Sequence, residues 1–158
     1  MTPPDGRQRR LGALRLVRDT SLPAPEGYPT GRVKCGQPET VFQFMEPYVD
    51  REEVEVFWIL ALTVQRKIIM NRPLTVSRGT LTGTLVHPRE VFRLAIQANA
   101  AGVIAVHNHP SGDPTPSPED RAITGQLVAA GGILGIPLVD HVVIGGGRYV
   151  SFSETGLL

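Results

Sequence analysis

Gly102-Val-Ile-Ala-Val106 is a short, unbroken apolar run with a helical pattern on either side, and it constrains the chain more than any other stretch. An apolar run without alternation, bounded by breakers, is the pattern of a strand covered on both faces. Such a strand needs a sheet around it and helices above and below. The helix before it opens at His87-Pro-Arg-Glu90, where Pro fits the first helical position and Glu complements the exposed N–H groups. Val91, Phe92, Leu94, Ala95 and Ala98 give that helix one apolar face. The helix after it is expected from Ser117-Pro118 to about Ala130, ending at Gly131-Gly132.

The remaining elements follow the same logic. Thr40 to Val49 predicts a short helix, with Val41, Phe44, Met45 and Tyr48 at helical spacing. Glu55 to Leu62, with Phe57 and Trp58 as core residues, reads as a buried strand. Gln65-Arg-Lys67 reads as a turn, Ile68 onward as the neighbouring strand, and Thr80 to Val86 as a further strand. Ile136 to Ile144 and Arg148 to Phe152 predict a closing hairpin around Gly145-Gly-Gly147. The expected fold is α/β (α+β): a three-layer α/β/α sandwich with a mixed sheet. No internal repeat is visible.

A chain of 158 residues fits one ordinary domain, and 41% apolar with 20% charged residues is a globular composition. No apolar run approaches the roughly 20 residues that span a bilayer, and the N-terminus is polar and Arg-rich. No membrane association is expected, and the cytoplasm is the expected address. The single cysteine, Cys35, excludes an internal disulfide and a Cys-based zinc cluster. Residues 1–34 hold seven Lys/Arg against three Asp/Glu and five of the fourteen prolines. We therefore expect a basic, Pro-rich arm over 1–35 and the folded domain over 36–158. Arg7, Arg9, Arg10, Arg15 and Arg18 could contact DNA phosphates, although a solvated arm explains them as well.

The chemistry lies in His107-Asn-His-Pro-Ser-Gly-Asp-Pro-Thr-Pro-Ser-Pro-Glu-Asp120, between the central strand and the second helix. Residues two apart on a strand point the same way, so His107 and His109 can offer imidazole nitrogens to one ion. Asp120, in the first turn of the next helix, can supply the third ligand. Three protein ligands leave tetrahedral zinc an open position for water, the catalytic arrangement. Pro110, Pro114, Pro116 and Pro118 stiffen the intervening loop and reduce the entropy lost in holding the ligands.

His107-x-His109 followed by Ser117-x-x-Asp120 resembles the JAMM motif of JAB/MPN metalloenzymes. The bacterial RadC family is closer still. It is matched by His87-Pro-Arg-Glu90, Ala100-Ala-Gly-Val-Ile104, His107-Asn-His-Pro-Ser-Gly112, Pro116-Ser117, Asp120, Asp140-His141 and Tyr149-Val-Ser-Phe152. The similarity runs from about Thr40 to Leu158. It implies a JAB/MPN-like (cytidine-deaminase-like) sandwich, Zn2+ as cofactor, and a metallopeptidase or isopeptidase acting on amide bonds of a protein or peptide substrate. It also implies an upstream glutamate as general base; Glu55, at the start of its strand, matches best, with Glu52 and Glu53 as competitors. Ser117 matches the family serine that stabilises an oxyanion, but Ser before Pro with Asp three residues on is equally a helix N-cap. RadC proteins typically carry an N-terminal helix-hairpin-helix region associated with DNA binding; the short basic arm stands in its place, which weakens any DNA role carried over.

Rival readings are few. The metallo-β-lactamase pattern fails at Ser111 and Gly112, barrel amidohydrolases need about 250 residues, and the Cys-rich signature of zinc deaminases is missing. His107-Asn-His109 is a coincidence of letters with the nucleases of that name. Asp140-His141 lies in a strand-like run, as a satisfied core pair or as support for the metal ligands. His87 is expected to start a helix rather than bind metal. Two functions of other classes remain: a metal-dependent DNA-cleaving or repair-associated hydrolase, and a non-catalytic MPN-type binding scaffold. The oligomeric state is not readable from one chain.

Overall fold

The computed structural model describes residues 33–79 and 86–158. The expected arm therefore lies outside the described residues except for Val33 to Cys35, and the strand expected at Thr80 to Val86 lies outside them except for Val86. Helix α1 spans Pro38–Val49, strand β1 Val56–Leu62, β2 Leu74–Arg78, α2 Pro88–Gln97, β3 Gly102–Asn108, α3 Pro118–Leu134, β4 Leu138–Gly145 and β5 Arg148–Ser151. The five strands form one sheet in the order β2-β1-β3-β4-β5. Only β3 and β4 run parallel, joined through α3, and the other neighbours are antiparallel, so the sheet is mixed as the sequence predicts.

Every residue of β1 and β3 is buried, which is why neither strand alternates in sequence. On one face Trp58, Leu60, Ile104, Val106 and Val142 pack beneath Val41, Phe44 and Met45 of α1. On the other, Phe57, Ile59, Val103 and Ala105 pack beneath Val91, Phe92 and Ala95 of α2 and Leu127 of α3. The three layers and the α+β class follow from these two cores. Cys35 is a free, buried thiol, pushed up to about 11 by desolvation.

Most boundaries fall within two residues of expectation, and two differ by more. The neighbour of β1 is Leu74–Arg78, while Ile68 contributes an isolated bridge to Leu62. Asn71 adopts φ 51° and Pro73 has no N–H to donate, so the pairing breaks and restarts at Leu74. Helix α3 runs through Gly131-Gly132 to Leu134 and is capped by Gly135 at φ 68°. Gly131 is needed inside the helix: a Cβ there would stand 2.6 Å from the Ile136 carbonyl oxygen, where the chain folds back.

Candidate metal centre

The C-terminal end of β3 carries the site. Phe57 pairs with His107 across β1 and β3, and the two rings stack at 5.7 Å, so both lie on the α2/α3 face. Two residues on, His109 leaves the strand, its N–H still donating to Ile144 of β4 at 2.8 Å. Continuing the antiparallel register by two residues sets Glu55 opposite His109.

Asp120 comes from the first turn of α3, where a capping box fixes it. The Asp120 N–H donates to Ser117 Oγ at 3.1 Å, and the Ser117 N–H donates to Asp120 Oδ2 at 2.7 Å. The cap reading of Ser117 is therefore realised; its own hydroxyl hydrogen has no acceptor among the described residues. His107 Nε2 stands 3.0 Å from Asp120 Oδ1 and 3.0 Å from His109 Nε2, and His109 Nε2 stands 3.3 Å from Asp120 Oδ2. One donor atom from each of the three residues falls within a 4.8 Å set that could hold a metal ion.

The hydrogen bonds behind the histidines decide what faces inward. His109 Nδ1 lies 2.7 Å from the Asp113 carbonyl, which can only accept, so Nδ1 carries the hydrogen and the lone pair of neutral His109 sits on Nε2. Thr115 orders the same loop, its N–H and hydroxyl both donating to Asp113 Oδ1. Behind His107, His141 Nε2 approaches His107 Nδ1 at 2.8 Å. His141 Nδ1 in turn meets Thr124 Oγ1 at 2.6 Å.

This donor set fits a metal. Two imidazole nitrogens and a carboxylate, crowded to about 3 Å with lone pairs inward, repel one another unless a cation lies between them. Without an ion, protons take that part. The hydrogen bond to Asp120 raises His109 above the ordinary histidine range; desolvation opposes it, and the Asp113 carbonyl and the charges of Asp120 and Glu55 assist. Burial alone would raise the Asp120 carboxyl, but hydrogen bonds from His107 and His109 overcome it and hold Asp120 well below the usual carboxylate range. Desolvation, with the nearby His107 charge, pushes His141 well below the histidine range.

The upstream glutamates separate by environment. Glu52 is ion-paired with Arg78, Glu53 is exposed, and Glu55 is half-buried beside the site, outside the three-residue set. Asn108, between the two histidines, is 2% exposed and turned to structural use. Its Oδ1 accepts from the Val56 N–H at 2.8 Å and its Nδ2 donates to the Val54 carbonyl at 2.9 Å. It thereby holds the backbone on both sides of Glu55. Asp140 accepts from the His141 and Ser153 N–H groups and the Ser151 hydroxyl, a satisfied core carboxylate. His87 caps α2, its Nδ1 accepting from the Arg89 N–H, as expected. Sequence reasoning gave no role to Thr124 or Asn108. For Thr124 the signal was there: it lies four residues after Asp120, on the same face of one helix.

The family model described as RadC-like JAB domain matches residues 35–157, and the chain belongs to that family. The UPF0758 protein STH371 of Symbiobacterium thermophilum is 50% identical over 130 residues, covering 82% of this chain and 55% of that protein. The UPF0758 protein of Thermotoga maritima is 55% identical over 111 residues, 70% of this chain and 48% of its own length. That of Methanosarcina mazei is 44% identical over 125 residues, 79% and 54% respectively. The chain thus spans about half the length of the curated relatives it matches. Family membership and a His-His-Asp group able to hold an ion together point to metal-dependent hydrolysis. No helix among the described residues is long and apolar enough to cross a membrane.

Proposed function

We propose that this domain, residues 36–158, is a zinc-dependent hydrolase acting on amide bonds of a protein or peptide substrate. The observation that carries it is the convergence of His107 Nε2, His109 Nε2 and the Asp120 carboxylate at the end of a buried strand. Mixed imidazole and carboxylate donors suit zinc, and three of them leave room for solvent. Bound there, the ion would supply Lewis acidity, polarising an oxygen and acidifying water.

The chain's own residues do the rest. Glu55, half-buried and electrostatically coupled to His109, is the general base: its carboxylate takes the proton from the attacking water and delivers it to the departing amine. Glu52 is occupied by Arg78 and Glu53 is exposed, which favours Glu55 among the three. Ser117 Oγ accepts at the cap and keeps its hydrogen to donate to the developing oxyanion, so both expected roles coexist. We assign the domain to the cytoplasm; the free Cys35 thiol is at home in a reducing compartment.

Elemental analysis of the purified chain should find about one zinc per molecule, and a peptide or isopeptide panel should show hydrolysis that Glu55→Gln abolishes while zinc remains bound. Metal-dependent nicking of DNA, lost in Glu55→Gln with peptides untouched, would replace the amide assignment by a nuclease one. A chain that takes up no stoichiometric metal would leave a binding scaffold.

A further inference from the structure

Behind the ligands runs a buried chain of hydrogen bonds that begins on one of them and ends on another. The Asp120 carbonyl oxygen lies 2.6 Å from Thr124 Oγ1, and a carbonyl only accepts, so the single hydroxyl hydrogen of Thr124 points there. The same Oγ1 is 2.6 Å from His141 Nδ1, a separation that also requires a hydrogen. Thr124 has none left, so His141 Nδ1 is the donor. The His141 ring is fully buried, stacked on Phe152 at 4.8 Å and edge-on to Phe57 at 5.4 Å. A neutral imidazole with its hydrogen on Nδ1 bears its lone pair on Nε2. His107 Nδ1, 2.8 Å away, must then carry the hydrogen.

We propose that Thr124 and His141 are positioning residues that select the His107 tautomer with its Nε2 lone pair turned inward. The direction of one hydroxyl hydrogen is what decides it. Were Thr124 to donate to His141 instead, neutral His141 would donate to His107, and an N–H would occupy the coordinating position. The inference rests on the metal-centre reading and adds two residues, from α3 and β4, on which that centre depends. Partners that orient a ligating imidazole are worth about 10–100-fold in metal affinity.

The test is zinc affinity of the full chain, measured by competition with a chromophoric chelator, together with 15N NMR of the histidine rings in the zinc-loaded protein. Thr124→Val removes the hydroxyl at nearly constant volume and should weaken zinc binding by about 10–100-fold, whereas Thr124→Ser should restore it. His141→Gln, whose amide can accept from His107 and donate to Thr124, should bind more tightly than His141→Leu. The spectra should show His141 protonated at Nδ1 and His107 with its hydrogen on Nδ1. Unchanged affinity in Thr124→Val, or a hydrogen on His141 Nε2 in the wild type, would overturn the inference while leaving the metal centre intact. Should Thr124→Val fail to fold, the wild-type spectrum decides alone. A wild-type chain that binds no zinc would remove the metal-centre reading itself, and the inference with it.

Discussion

Along β3, Ile104 and Val106 pack beneath α1 with Trp58, Leu60 and Val142, whereas Val103 and Ala105 begin a second core beneath α2 and α3 that turns polar at His107. The first face is mostly apolar, Asp140 beside Ile104 being buried with its carboxylate satisfied, and any one apolar contact there is worth its buried area and shape. The second gives up that uniformity at one end. His107, Asp120, Thr124 and His141 are all buried, and each is matched to a particular partner atom. A buried polar atom without a partner costs more than the same atom satisfied contributes, so this end tolerates little error. One sheet thus separates the residues that keep the fold from those that shape the site, and substitutions on its two faces should fail in different ways.

The largest effect is expected at Asp120. Asp120→Ala removes one ligand and half of the capping box, and should abolish stoichiometric zinc in the purified protein; retention of a full equivalent would break the comparison. Next comes the apolar face. Leu60 is fully buried, so Leu60→Ala should cost about 2–5 kcal/mol in denaturant unfolding. Zinc affinity of the folded fraction should stay as in the wild type, and a parallel loss would show that the faces are coupled. Asn108→Ala leaves the Val56 N–H and the Val54 carbonyl without their buried partner and should cost about 1–3 kcal/mol. Peptide hydrolysis should fall further than zinc binding does, because Asn108 anchors the segment bearing Glu55 and not the ligands.

The smallest effect is on pH. In the metal-free protein the raised His109 favours the protonated pair with Asp120; its stabilisation is full below the ordinary histidine value of about 6.5 and fades as pH rises through the raised one. The depressed Asp120 contributes above the ordinary carboxylate value of about 4 and loses its contribution as pH falls toward its own. Zinc must displace the His109 proton, so its apparent affinity should drop by about tenfold per pH unit below the His109 value. Thermal melts with and without zinc across this range check the sign: the zinc-induced gain should grow as pH rises.

Much of this was legible in the residues. The uniform apolar run of β3 announced a sheet covered on both sides, and the two histidines after it, with the Ser-Pro start of α3, announced three donors held by adjoining elements. What sequence could not supply was register. His141 lies 34 residues from His107 and reaches it only because β4 runs parallel beside β3. Asn108 makes the same point: its partners, 52 and 54 residues upstream, are reached across the β1–β3 ladder. The glycine pair in α3 misled for a related reason. Gly131 looked like a stop, but the close return of Ile136 required a residue without a side chain inside the helix.

The capping box of α3 has one more consequence. Asp120 Oδ2 accepts from the Ser117 amide while also facing His109, so the first turn of the helix and the candidate ligand set share one oxygen. The helix cannot unwind at that end without scattering the ligands, and the ligands cannot scatter without freeing the Ser117 amide to solvent. A cation held by Asp120 would therefore couple its occupancy to the local breathing of that first helical turn.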